Sequence, residues 1–318
     1  MKTINWGILG TGKICANFAN TIKPLPNTRI TAVGSRSIDT AKQFADKYNI
    51  PEYYGSYEKL ASNPDIDIIY IGTPNNLHCE NTLLCLNNGK SVLCEKPFSV
   101  SAKEAVKMVN CARKNRLFLM EAMWTRFLPC ITRVRQWIKD GLIGDIKYVS
   151  ADFGFSAAWD PQSRVFNPAL AGGALLDVGI YTMSFATMVL GYDLAGIQAV
   201  AKLGKTKVDE LTAMQLKYKN GSIAQLLCAV TLATQHMAII QGTKGSIQIP
   251  FFWRATSATL SVTGKKPVTV TGETGLQFEA VESMNCLRKG SRESKIMPLD
   301  ETVKIMKIMD KIRKQINK

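Results

Sequence analysis

The sequence predicts two domains of different class: a doubly wound parallel α/β sheet over residues 1–122, and an α+β domain built on a large, mostly antiparallel open sheet over residues 123–318. Three observations predict this. Strand-like and helix-like periods alternate through the first part of the chain. A glycine-rich turn, Gly7-Ile8-Leu9-Gly10-Thr11-Gly12, joins the first strand to the first helix. After about Ala122, long alternating segments follow one another with few helices between them. A chain of 318 residues is long for one core and comfortable for two.

Ile4 to Leu9 reads as the first strand, and Ile14 to Thr21 starts a helix. Arg29 to Val33 is a second strand, followed by a helix from about Thr40 to Tyr48. Ile66 to Ile71 is a third strand; a helix then runs from about Asn76 to Asn88 and stops at Gly89. Ser91 to Cys94 is a short buried strand. Ser101-Ala102-Lys103-Glu104 has the spacing of a capping box and opens a helix to about Asn115, after which Leu117 to Met120 closes the series. Parallel strands joined by helices imply right-handed crossovers. In the second domain Ile131 to Lys139 is helical, and Ile146 to Phe155, Leu211 to Tyr218, Ser222 to Val230 and Met237 to Gln241 alternate as strands. Asn220-Gly221 is a two-residue hairpin signal, and Thr243-Lys244-Gly245 marks a second turn. From Val303 to Lys318, Ile305, Ile308, Met309, Ile312 and Ile316 recur at helical spacing among lysines, which predicts a helix docked on its own core.

Composition narrows the function. The apolar fraction of 46% and charged fraction of 20% are those of a globular protein. No run of about 18 uninterrupted apolar residues argues for a membrane span. The amino terminus enters a strand pattern at once, without a signal-peptide h-region, so a cytoplasmic protein is expected. Eight scattered cysteines contain no C-x-x-C pair and read as reduced thiols, with no metal site implied. The formal charge of +15 is spread along the chain in no long basic block, which argues against nucleic acid and suits an enzyme that draws in polyanionic dinucleotides.

Four constellations carry chemistry. Gly10-Thr11-Gly12-Lys13-Ile14-Cys15 follows a strand and opens a helix, the context that a dinucleotide fingerprint requires. Its glycines allow a pyrophosphate to approach the backbone N–H groups of the helix; the third glycine position holds Cys15. At the end of the second strand, where an NAD site places an acidic residue, stands Gly34-Ser35-Arg36-Ser37. A guanidinium and two hydroxyls bind a 2′-phosphate that a carboxylate would repel, so NADP is expected rather than NAD. Glu95-Lys96-Pro97 lies just beyond a strand end, in the crevice where such sheets bind ligands. Asp177 and Tyr181 are spaced i, i+4 on a helix that follows Gly172-Gly173. On spacing alone that pair equally describes a buried tyrosine and an aspartate near a helix start.

Gly7 to Ile14, Thr73-Pro74-Asn75, His78, the run Gly89 to Pro97 and the segment Gly172 to Tyr181 together resemble the glucose–fructose oxidoreductase/inositol dehydrogenase (Gfo/Idh/MocA) family. Glu121 to Phe127 and a tyrosine at 181 resemble the branch of dimeric dihydrodiol dehydrogenases and NADP-linked D-xylose dehydrogenases. The resemblance implies a Rossmann domain, hydride transfer between a nicotinamide cofactor and a sugar or vicinal diol, and a homo-oligomer, a dimer or tetramer of dimers, formed through the open sheet. It implies Lys96 as catalytic lysine, Tyr181 as acid–base residue and Asp177 as an orienting carboxylate. Thr73, Pro74, Asn75 and His78 would line the cofactor, with Glu95 near the nicotinamide ribose and Trp124 and Arg126 at the nicotinamide and pyrophosphate end. Ala171 departs from the pattern, standing where many members begin a triple glycine. Phe153, Phe155, Trp159 and Arg164 are candidates for substrate specificity. A cofactor-binding regulator without turnover is the alternative on the same fold.

Overall fold

The computed structural model describes residues 2–316. Met1, at the start of the predicted first domain, and Asn317 and Lys318, at the end of the predicted C-terminal helix, lie outside the described residues. By internal contacts the chain divides into two compact units. One runs to Trp124 and takes back Gly275–Val303; the other is Thr125–Thr274 with the chain from Lys304 on.

In chain order the first unit holds β1 (Ile4–Leu9), α1 (Lys13–Ile22), β2 (Thr28–Gly34), α2 (Ile38–Tyr48), β3 (Glu52–Tyr54), α3 (Tyr57–Ser62), β4 (Ile68–Ile71), α4 (His78–Asn87), β5 (Ser91–Glu95), α5 (Ala102–Asn115) and β6 (Leu119–Ala122). Its sheet is entirely parallel, in the order β3-β2-β1-β4-β5-β6. The order reverses between β1 and β4, so the crevice at their carboxyl ends is the ligand-collecting place of this topology. β1, β4 and β5 are almost wholly buried, as a sheet covered on both faces requires. Ser37, Ser56 and Ser101 cap α2, α3 and α5 by accepting from Thr40, Lys59 and Glu104 N–H groups. The reciprocal half of the capping box is displaced by one residue: the Glu104 carboxylate accepts from Val100 N–H at 3.2 Å.

The second unit holds α6 (Pro129–Lys139), β7 (Ile146–Gly154), α7 (Ile180–Leu190), β8 (Leu194–Leu203), β9 (Asp209–Tyr218), β10 (Ile223–Ala229), β11 (Ala238–Gly242), β12 (Gly245–Ile249), β13 (Ser257–Val262) and β14 (Val268–Thr271). Its eight-stranded sheet has the order β14-β13-β12-β11-β7-β10-β9-β8. Only the β7–β10 pair is parallel. The Asn220-Gly221 and Thr243-Lys244-Gly245 turns join antiparallel pairs, β9–β10 and β11–β12. Along β7, Val149, Ala151 and Phe153 are buried, and α7 packs against this strand. Tyr148, Ser150 and Asp152 point to the other face, where they help line an open groove of about 510 Å³.

The chain then forms α8 (Gln277–Arg288), which belongs to the first unit, and α9 (Leu299–Ile316), which passes from one unit into the other. The sequence reading assigned all of 123–318 to one domain, and Gly275–Val303 differs from it by packing with the parallel sheet. The reason is visible in α8, whose buried positions include Glu279 and Ser283, so its core-facing stripe does not read as apolar. Residues Pro168–Leu190 are apolar enough and long enough to cross a membrane, but 83% of that window is buried within the fold, where it supplies core.

Candidate cofactor and active site

In the first unit the candidate cofactor site grows out of the β1–α1 turn. Gly10 has φ +114°, a conformation that side chains rarely adopt, and a Cβ there would lie 3.1 Å from Gly72 O. Gly12, at the N-cap of α1, makes no side-chain cap, and a Cβ at this position would meet nothing within 4 Å. Open space above a glycine at the start of a ten-residue helix fits a pyrophosphate held by backbone N–H groups. Thr11 is half-buried; Lys13 is exposed and Ile14 half-buried at the same turn.

Ser35 is buried at the end of β2, whereas Arg36 and Ser37 are exposed. Arg36 has a neighbour that sequence reasoning missed. Tyr57, at the first position of α3, sits against the guanidinium: burial pushes its phenol pKa up, and Arg36 opposes the shift by charge and hydrogen bond. Its signal in the sequence was only the Ser56 cap, which places an aromatic residue beside the β2 terminus.

The loops after β4 and β5 are tied together by His78. Its Nδ1 lies 2.8 Å from Pro97 O and its Nε2 2.9 Å from Thr73 O, with the ring 1% exposed. Two carbonyls favour the imidazolium, but burial dominates and holds the pKa below the usual imidazole value, with Lys96 adding to the depression. His78 therefore acts from beneath the loops. Thr73 Oγ1 accepts from Asn81 at 3.0 Å, while Pro74 is exposed and Asn75 half-buried.

Glu95 is likewise buried. Its carboxylate accepts from Tyr70 OH at 2.5 Å and from Lys96 N–H at 3.1 Å. Burial pushes its pKa up; Tyr70, Lys96 charge and the Lys96 N–H pull against that shift. The backbone of Lys96 is thus pinned to the end of β5, with the side chain half-buried. The Lys96–Pro97 peptide is cis.

In the second unit the candidate residues surround Tyr181. Asp177 lies in one wide π turn, Leu175–Gly179, and Tyr181 in the first turn of α7; both are buried. Such single π turns are frequent at functional sites. Ala171 holds φ +57°, in the left-handed region that the family's glycine would occupy without cost. Arg164 donates to Asp177 at 2.6 Å. What burial it has works against its charge, but the Asp177 carboxylate outweighs that and pushes its pKa up, although the Arg164 side chain is 61% exposed.

An aromatic wall completes this part. Phe153 stacks on Trp253 at 4.6 Å and 12°, and Tyr181 meets Phe153 at 5.4 Å and Trp253 edge-on at 6.2 Å. Phe155 is half-buried at the end of β7; Trp159 is 48% exposed and tilts against Phe166, outside this cluster. Arg126 is buried, its guanidinium bonded to Ser184 at 3.0 Å and to Tyr192 OH at 3.3 Å. It anchors the turn Trp124–Phe127 to α7, and Trp124 is half-buried at the start of that turn. Among the described residues no group of histidine, cysteine and carboxylate side chains is arranged to hold a metal.

Two family descriptions match the chain: "Oxidoreductase family, NAD-binding Rossmann fold" over residues 4–123, and "GFO/IDH/MocA C-terminal domain" over residues 131–248. The trans-1,2-dihydrobenzene-1,2-diol dehydrogenase of Xenopus tropicalis is 39% identical over 98% of this chain and 97% of that protein. That of Mus musculus is 38% identical with the same coverage. Among solved structures, aldose-aldose oxidoreductase from Caulobacter crescentus, complexed with glycerol, superposes with a TM-score of 0.90 over 99% of this chain and 97% of that one. At 24% identity this is a likeness of fold.

Proposed function

Because the chain belongs to the Gfo/Idh/MocA oxidoreductase family, with its NAD-binding Rossmann fold, we propose that it is an NADP-linked dehydrogenase of a sugar or vicinal-diol hydroxyl. The observation that carries the substrate class is the setting of Tyr181. An aromatic wall on one side suits the C–H face of a ring, and the Arg164–Asp177 pair on another suits its hydroxyls. The full-length relatives, named for a cyclic trans-diol, support the same class.

The cofactor, when bound, takes or supplies the hydride. Gly10, Thr11, Gly12, Lys13 and Ile14 would hold its pyrophosphate at the start of α1, and Ser35, Arg36 and Ser37 its 2′-phosphate. Thr73, Pro74, Asn75 and Glu95 would border the nicotinamide half, with His78 fixing their loops. Trp124 would flank the ring, and Arg126 would act by anchoring the turn that carries it. Tyr181 would accept the hydroxyl proton as the carbonyl forms and return it in reduction. The Lys96 ammonium would hydrogen-bond the reacting oxygen and favour the phenolate form of the base. Asp177 would orient the substrate through Arg164.

We further propose a cytoplasmic protein, in which its eight free cysteines stay reduced. It would pair as a homo-oligomer through the open face of the eight-stranded sheet, where Val200 of β8 is 72% exposed.

The test is reduction of NADP+ and NAD+, followed by nicotinamide absorbance, across aldoses, inositols and trans-dihydrodiols. One substrate class should turn over with NADP+. Lys96→Met should then lose about 10²- to 10⁴-fold in turnover while still binding NADPH. Undiminished turnover in that variant would remove Lys96 from the mechanism.

A further inference from the structure

Glu279 stands in the first turn of α8 with 0% exposure, and neither of its carboxylate oxygens has a hydrogen-bond partner among the described residues. An ionised carboxylate in that setting loses its water and gains nothing in return. Two more buried carboxylates lie close enough for their charges to act on it: Glu95, at the end of β5, and Glu121, on β6. All three belong to the first unit. The other two are supplied with donors. Glu95 accepts from Tyr70 OH and from Lys96 N–H, and the Lys96 charge acts on it as well. Glu121 accepts from Phe98 N–H at 3.2 Å and from Thr302 OH at 3.0 Å.

We propose that Glu279 is held as the neutral carboxylic acid of this cluster, and that it is a positioning residue for Lys96 because it leaves Glu95 ionised to anchor the Lys96 backbone. Three carboxyl groups that share a low-dielectric interior do not all ionise. Each N–H or O–H donor favours the charged form of its acceptor, so the proton settles on the carboxyl that has no donor. The start of a helix favours negative charge modestly, far less than burial of an unpaired ion disfavours it. Burial, with the charges of Glu95 and Glu121 adding to it, pushes the Glu279 pKa well above the usual carboxylate range. The other titratable and charged groups around the cluster are Tyr70 on β4, Lys96 after β5 and Cys15 on α1, the helix packed against α8. Burial pushes both the Tyr70 phenol and the Cys15 thiol up, so these two stay neutral and Lys96 supplies positive charge. Loss of the Glu279 proton in alkali sets an unpaired charge against Glu95 and Glu121. Moving α8 away from the end of β5 relieves that repulsion, and it loosens the junction that holds Lys96. Turnover should therefore fall as Glu279 ionises.

The catalytic consequence rests on the proposed dehydrogenase reading, but the place of the proton does not. The test is infrared spectroscopy of the full-length chain, with isotope-labelled glutamate to assign the carbonyl stretch of a protonated carboxyl group. The native chain should show that band at neutral pH and lose it in alkali. Glu279→Gln, a neutral isostere with no acid proton, should lack the band; if it does not fold, Glu279→Met, apolar and of similar length, takes its place. Glu95→Gln should keep the band but lose it at lower pH than the native chain, because the neighbouring charge is gone. In parallel, with NADP+ and the substrate found above, kcat of the native chain should fall over the pH range in which the band disappears. In the Glu279 variant that fall should shift to higher pH, with KM changing less. No band at neutral pH, or one that survives in the Glu279 variant and vanishes in Glu95→Gln, would overturn the proposal. A band that belongs to Glu279, beside an alkaline fall of kcat that does not shift, would overturn its positioning half. Failure of all substrates to turn over would count against the dehydrogenase reading, and the infrared band would still place the proton.

Discussion

Cys15 Sγ lies 3.4 Å from Gly72 O, and a Cβ built on Gly72 would come within 2.4 Å of that sulfur. This relationship explains how the chain does without the third glycine of its fingerprint. In the usual motif that glycine lets helix and strand approach closely. Here the missing side chain is on the strand side, at Gly72 after β4, and the thiol of α1 fills the space. Burial pushes the Cys15 thiol pKa up to about 12, so it packs as a small apolar group and is not a nucleophile.

The compensation predicts a paired mutational effect. Gly72→Ala should lose about 1–3 kcal/mol of stability, the usual result of overpacking a close-fitted interior. It should also weaken cofactor binding, because the displaced sulfur sits three residues past Gly12. Cys15→Ala/Gly72→Ala should recover much of both losses. Urea unfolding and NADPH titration of the native chain, Cys15→Ala, Gly72→Ala and the double variant measure the coupling, and simple additivity would mean the two sites do not compensate.

How far the sequence could be read depends on where contrast between faces survives. Strands β1, β4 and β5, buried on both faces, β2, buried along its second half, and the capped helices α2 and α5 were legible because each has an apolar run or a capping serine. β8 was not: as the edge strand of the second sheet it buries neither face fully, so its alternation is weak. β3 and α3 are only three and six residues long, too short for a period to register. The site divides along the same line. Lys96, Asp177 and Tyr181 stand in motifs, and so could be named. Tyr57 acts through a neighbour distant in sequence, Arg36, and no local pattern joins that pair.

Arg36 is the residue on which cofactor choice should turn. It is exposed at the end of β2, with Tyr57 beside its guanidinium and no carboxylate at the position where an NAD site would hold one. Arg36→Ala should weaken NADPH binding about 10- to 100-fold and change NADH binding little, since charge-assisted bonds to the 2′-phosphate are lost only with the former. The loss should shrink at high salt. Fluorescence titrations with both nucleotides decide it. Equal losses would mean that the guanidinium does not read the 2′-phosphate.

Asp209 offers a test of the turn that presents Asp177. Its carboxylate accepts from Leu175 N–H at 2.7 Å and from Thr212 OH at 2.9 Å, bracing the start of the π turn. Burial pushes its pKa up from 3.8 to about 6, against both hydrogen bonds. The native state therefore holds this proton more tightly than the unfolded chain does. Between those two values the native state carries the extra proton, so this group's contribution to stability falls as pH rises and is fully lost above about 6. The accumulated cost at neutral pH is about 3 kcal/mol. Asparagine keeps an oxygen for Leu175 and Thr212 but carries no charge into the interior. Asp209→Asn should thus gain about 1–2 kcal/mol over the native chain at pH 7, and the gain should vanish by about pH 4, as the native carboxyl becomes neutral. Unfolding by urea at several pH values gives the difference directly. A gain independent of pH would show that Asp209 is ionised throughout, with its two donors sufficient to hold the charge.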